Sequence, residues 1–168
     1  MSEKIRIAGV VKESIVDGPG IRFVVFAQGC QHHCDGCHNP ATHDFNGGNL
    51  VDIETIITEM KKNPLLDGIT FSGGEPFEQP EAFCELAKRS KALGYHVMAY
   101  TGYTYETLMA KKDQRRLRLL ENTDLLVDGK FEVAKKSLML KFRGSQNQRI
   151  IDVNKSHREN RLMLSEIG

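Results

Sequence analysis

Ile21 to His38 reads IRFVVFAQGCQHHCDGCH. The opening run, Ile21 to Ala27, is β-branched and aromatic with almost no polar alternation. A strand of that kind is covered on both faces, as the inner strands of a parallel sheet are. Directly after it come Cys30, Cys34 and Cys37, three of the chain's four cysteines, interleaved with His32, His33 and His38. Ligands of parallel α/β sheets collect at the carboxyl ends of the strands. The cysteine loop begins at such an end, so fold and chemistry are announced by one stretch.

Working outward, the same logic repeats. Upstream, Lys4 to Val11 alternates loosely and predicts a strand, and Asp17-Gly18-Pro19-Gly20 has the composition of a turn. Downstream, Ile53, Ile56, Ile57 and Met60 recur at helical spacing between Asp52, a capping residue, and Pro64. Ile69 to Phe71 predicts a short strand that runs into Ser72-Gly73-Gly74-Glu75-Pro76. A second helix starts near Pro80, carries Phe83, Leu86, Ala87 and Ser90 on one face, and stops at Gly94. His96 to Tyr100 is the next strand, followed by Thr101-Gly102-Tyr103. Thr104 caps a third helical region that breaks near Asp113. Leu125 to Val127 leads into Asp128-Gly129-Lys130, and Arg149 to Val153 is the last strand. Strands alternating with helices indicate βαβ units. Four unusual turns therefore meet at one end of the sheet: the cysteine loop, SGGEP, YTGY and VDGK.

The bulk properties narrow the classes. At 168 residues the chain predicts one domain, residues 1–153, with a polar tail at 154–168 to which no fold role is assigned. A net charge of +1 offers no electrostatic case for nucleic acid or an anionic membrane. No apolar run approaches the roughly 18 residues that span a bilayer, and MSEKIRIAG lacks the apolar core of a secretory signal. The expected compartment is the cytoplasm, where thiols stay reduced. Cysteines arranged three-plus-one then point to a metal or catalytic site and not to a disulfide framework.

Two metal chemistries fit the loop. Cys30, Cys34 and Cys37 with one of His32, His33, His38 or His43 could close a Cys3His zinc site. Against it, no second paired ligand set exists, and Cys84 falls on a predicted helix, where it reads as an ordinary buried cysteine. An iron–sulfur cluster suits three closely spaced thiolates and keeps one iron open for a ligand.

The C-x3-C-x2-C spacing resembles the signature of the radical S-adenosylmethionine (SAM) enzymes. Phe71-Ser72-Gly73-Gly74-Glu75-Pro76 is similar to that superfamily's GGEP loop. Asp17-Gly18-Pro19-Gly20-Ile21-Arg22-Phe23 resembles the activases of glycyl-radical enzymes. Ala99-Tyr100-Thr101-Gly102-Tyr103, Leu126-Val127-Asp128-Gly129-Lys130-Phe131 and Phe142-Arg143-Gly144-Ser145-Gln146-Asn147-Gln148 narrow it to the short activating proteins of anaerobic ribonucleoside-triphosphate reductase. Cys37-His38-Asn39-Pro40 instead resembles the pyruvate formate-lyase activases.

The resemblance implies an α/β fold, an incomplete (β/α) barrel of about five or six mainly parallel strands. It implies that Cys30, Cys34 and Cys37 are catalytic and ligate a [4Fe-4S] cluster. Gly36, Cys37 and His38 border SAM, and Gly73, Gly74 and Glu75 hold its methionine end. Thr101, Asp128 and Lys130 fall where related activases bind the cofactor or a nearby cation. Their plain readings are a turn cap, a β-turn and a surface charge. His32 and His33 read as solvated loop residues, and Arg143 has no assigned role. The implied reaction is reductive cleavage of SAM to methionine and a 5′-deoxyadenosyl radical, which takes hydrogen from a glycine. The implied partners are the large reductase subunit, reduced flavodoxin or a similar donor, and a second copy of the chain within a heterotetramer. The alternative target is another glycyl-radical enzyme, such as pyruvate formate-lyase.

Overall fold

A computed structural model describes residues 3–30, 32, 44–137 and 140–167. Among the described residues, seven strands form one sheet: β1 (Lys4–Ser14), β2 (Arg22–Ala27), β3 (Asn49–Asp52), β4 (Gly68–Gly73), β5 (His96–Tyr100), β6 (Leu125–Asp128) and β7 (Arg149–Asp152). Their order is β3-β1-β2-β4-β5-β6-β7. The pairs β2–β4, β4–β5 and β5–β6 are parallel. The pairs β1–β2, β1–β3 and β6–β7 are antiparallel. The expected α/β fold with a parallel centre holds for the four strands β2, β4, β5 and β6, while the expected five or six mainly parallel strands are corrected to seven with antiparallel flanks. The sheet is mixed, and β3 and β7 are its outermost strands.

The helices are α1 (Ile53–Lys61), α2 (Pro80–Ala92), α3 (Tyr105–Ala110), α4 (Gln114–Glu121) and α5 (Val153–Glu159). Their starts follow from local chemistry. Thr104 accepts a hydrogen bond from the Thr107 amide, and Asp113 accepts from those of Arg115 and Arg116. These are capping bonds that satisfy otherwise orphaned helix amides. One face of the sheet packs on the helices. Phe23, Val25, Ile69, Phe71, Val97, Ala99 and Leu126 meet Ile53, Ile56, Phe83, Leu86, Leu119 and Leu120 in the main core. Phe71 and Phe83 meet edge-on at 4.9 Å. Burial of each aromatic contributes about 1.5–3 kcal/mol. The opposite face carries a smaller cluster of Met98, Leu125, Val127 and Ile150.

Two elements were not expected. β3 adds an edge strand to β1, from Lys4↔Asp52 to Ile7↔Asn49. The stretch read as a polar tail holds α5, capped by the Asp152 carboxylate on the Lys155 amide at 2.9 Å. Asn160 then turns the chain in a left-handed conformation at φ 54°. The Ser165 amide donates to the Ile150 carbonyl at 2.8 Å, and the Asp152 amide to that of Met163 at 2.9 Å. These bonds occupy the outer side of β7.

Candidate active site

β2, β4, β5 and β6 run in one direction, so the turns that follow them share one end of the sheet. Between those turns lies a cavity of about 480 Å³. Cys30 follows β2 and lines it, as do Ser72, Gly73 and Gly74 at the end of β4. Tyr100 and Thr101, at the end of β5, and Gly129, after β6, complete this wall. The chemistry-bearing turns predicted from the sequence thus converge on one space.

The SGGEP turn is built against the cysteine-bearing strand. The Gly74 amide donates to the Ala27 carbonyl at 2.7 Å, and the Glu75 amide to that of Gly29 at 2.8 Å. Gly73 has φ 86°, and a Cβ there would lie 2.7 Å from backbone atoms of Phe26 and Ala27. Only glycine permits both the left-handed backbone and that approach. A ligand entering the cavity meets bare backbone at Gly73 and Gly74.

Glu75 does not line this cavity. Its carboxylate is wholly buried and accepts from Thr101 Oγ1 at 2.9 Å, the Gly102 amide at 2.7 Å and the Phe77 amide at 3.1 Å. His32 Nε2 lies 2.6 Å from the same carboxylate, and the His32 side chain is only 6% exposed. A buried carboxylate is costly unless such donors surround it. His32 is therefore no solvated loop residue; it is packed into the site. Sequence reading missed this because its partner lies 43 positions away.

Thr101 both lines the cavity and donates to Glu75. Asp128 and Lys130 line an adjoining depression of about 840 Å³ that shares His32, Gly102 and Gly129 with the cavity. The Asp128 carboxylate is engaged by Arg149, through Nε at 3.0 Å and Nη2 at 2.5 Å, and by the Tyr105 amide at 2.8 Å. The hydrogen bonds that Arg149 donates, to Asp128 first and then to Glu106, raise its pKa well above its ordinary value. Cys34, Gly36, Cys37 and His38 lie outside the described residues.

Two further features escaped sequence reading. The RGSQNQ segment is a clasp: Gln148 Nε2 donates to the Gly129 carbonyl at 3.1 Å, and Asn147 Nδ2 to that of Lys130 at 2.8 Å. Arg143 lines the cavity, donates through Nη1 to the Gln148 carbonyl at 2.9 Å, and has a buried Nε with no partner among the described residues. Tyr100 is held protonated, because burial first and Asp17 second raise its pKa. Cys84 is buried, as expected, and burial pushes its thiol up.

Residues 16–151 match the family model described as a 4Fe-4S single cluster domain. Over 143 residues, 80% of this chain, it is 34% identical to the anaerobic ribonucleoside-triphosphate reductase-activating protein of Enterobacteria phage T4, covering 86% of that protein. The Vibrio cholerae protein of the same name is 35% identical over 142 residues, 80% of this chain and 89% of its own length. The chain belongs to the anaerobic ribonucleoside-triphosphate reductase-activating protein family. It is also 38% identical over 128 residues to the pyruvate formate-lyase-activating enzyme of Clostridium pasteurianum, 73% of this chain, and spans only half the length of that enzyme.

The described residues fit the 4Fe-4S group that this family carries. Cys30 supplies a thiol donor at the wall of the cavity that Gly73 and Gly74 also line, where no side chain of theirs takes up room. Among the described residues no helix is long and apolar enough to cross a membrane.

Proposed function

We propose that this chain activates anaerobic ribonucleoside-triphosphate reductase by radical SAM chemistry. One observation carries the reading: Cys30, Gly73, Gly74 and Thr101, drawn from three successive strand ends, line a single cavity. Cys30, Cys34 and Cys37 would hold a [4Fe-4S] cluster, which would supply the electron for reductive cleavage of SAM to methionine and a 5′-deoxyadenosyl radical able to take a hydrogen atom from a glycine of the reductase.

The chain's own residues bind and orient. Gly73 and Gly74 present backbone to the methionine end of SAM, and Gly36 and His38 border it from the cysteine loop. Glu75 acts behind that wall, fixing Thr101 and Gly102. Asp128 and Lys130 bound the adjoining depression. Phe26 and Phe142 add apolar side chains to the cavity lining. The phenol of Tyr100, held protonated, adds a donor and no charge.

The finer architecture is an incomplete barrel, open on one side so that a polypeptide glycine can enter. The partner is the large reductase subunit, and the electron donor is reduced flavodoxin or a carrier like it. The chain works in the cytoplasm, as a homodimer within a heterotetramer. The relatives named for the reductase match 80% of this chain, against 73% for the pyruvate formate-lyase-activating enzyme. That difference supports the reductase as target.

The test is anaerobic reconstitution with iron and sulfide, reduction, and EPR with and without SAM. The expected result is a brown protein whose cluster signal changes on adding SAM, followed by a glycyl-radical doublet on the large subunit. A colourless protein that holds zinc and ignores SAM overturns the proposal.

A further inference from the structure

We infer that His32 is a positioning residue, the pin that holds the cysteine loop against the SGGEP and YTGY turns. The inference rests on the cluster reading proposed above. His32 stands two positions after Cys30 and two before Cys34. Its ring is clamped from three sides. Nε2 lies 2.6 Å from the buried Glu75 Oε1. Because a carboxylate accepts, Nε2 carries the hydrogen and donates it. The Tyr103 ring meets it edge-on, with centroids 4.6 Å apart and planes at 76°. The third side is Gly102, where a Cβ would come within 2.4 Å of the imidazole.

The clamp is itself anchored. Glu75 is fixed by Thr101, Gly102 and Phe77. Tyr103 donates its hydroxyl to Glu78, and the Arg116 guanidinium lies over its ring at 4.7 Å. Gly102 of the YTGY turn thus has a specific reason to be glycine: it vacates the seat of the His32 ring. His32 also forms part of the wall between the cavity and the depression that holds Asp128 and Lys130. A ring set there anchors the chain two positions after Cys30 without being a ligand. Groups that orient metal ligands from behind typically change metal affinity tenfold to a hundredfold when removed.

The experiment compares wild type with H32A, H32Q and G102A, each reconstituted anaerobically. Three quantities are measured: the rate at which a chelator strips iron, the SAM dissociation constant by equilibrium dialysis, and the melting of the iron-free protein. H32A and G102A are expected to lose iron roughly tenfold to a hundredfold faster and to bind SAM more weakly. H32Q keeps an N–H for Glu75 and is expected to recover most of the loss. Iron-free H32A is expected to melt only modestly below wild type, because Glu75 loses one donor but keeps those of Thr101, Gly102 and Phe77. Iron release from H32A at the wild-type rate overturns the inference. So does H32Q releasing iron as fast as H32A while both iron-free variants melt far below wild type, since His32 would then be ordinary packing. A wild-type protein that takes up no iron overturns the cluster reading itself, a result distinct from either.

Discussion

Arg22 Nη2 lies 3.0 Å from Nδ1 of His96 and 3.1 Å from the same residue's carbonyl oxygen. Because the guanidinium only donates, Nδ1 must accept, which leaves His96 neutral with its hydrogen on Nε2. Arg22 is wholly buried, and its other bonds go to Thr70 Oγ1 and the carbonyls of Pro19 and Ile69. Burial lowers its pKa to about 10. The guanidinium ties the starts of β2, β4 and β5 together beneath the cavity.

Removing it strands those acceptors. Arg22→Met is expected to cost about 3 kcal/mol, since each buried group left unsatisfied costs roughly 1–3 kcal/mol. Arg22→Lys, with a single nitrogen, should recover only part. Urea unfolding at neutral pH measures both.

His96 makes stability fall in mild acid. Burial first, and Arg22 second, lower its pKa in the fold below the ordinary 6.5. Below that pH the unfolded chain takes up a proton that the fold resists, so the unfolded state is favoured. The urea midpoint should hold above about pH 6.5 and drop as pH falls below it. His96→Asn, which keeps an acceptor for Arg22 without titrating, should flatten the profile through that window.

Gly73 separates backbone strain from site crowding. Gly73→Ala places a side chain at φ 86° and 2.7 Å from the β2 backbone. Gly94→Ala meets a similar φ of 90° but open space. The second should cost about 1 kcal/mol and the first at least twice that, with SAM retention lost only in the first. Denaturant titration beside equilibrium dialysis distinguishes them.

Asp128 is expected to be a structural clamp whatever else it touches. Asp128→Asn removes the buried charge that Arg149 and the Tyr105 amide address, and should cost about 2 kcal/mol. That figure is kept low because the Arg149 side chain is 32% exposed. Glu106→Gln breaks the other half of the arrangement at a carboxylate that is 62% exposed, and should cost under about 1 kcal/mol. Thermal melts of the two variants give the comparison.

What could be read from the sequence follows the range of the forces involved. The apolar spacing of Ile53, Ile56, Ile57 and Met60, and the caps at Thr104 and Asp113, are local, and those helices stand where they were expected. The run from Ile21 to Ala27 showed that β2 is buried on both sides, but strand direction leaves no such trace, so the antiparallel flanks were not foreseen. β3 is four residues with none fully buried, too short and too exposed to show a pattern. α5 buries Val153 and Ser156 in an otherwise polar stretch. The four turns were named correctly as a group. What joins three of them, the Glu75 carboxylate of SGGEP, takes partners from His32 and Thr101, which no spacing rule connects.

A ribosome extending this chain lays down the cavity wall in strand order: Cys30 after β2, Gly73 with β4, Thr101 after β5, Gly129 after β6, and Gln148 last. No earlier fragment encloses the space, because Gln148 must reach back to the Gly129 carbonyl before that side is held. A nascent chain therefore carries its cysteines for most of its synthesis with no chamber around them. Shelter for any guest arrives only with the final strand.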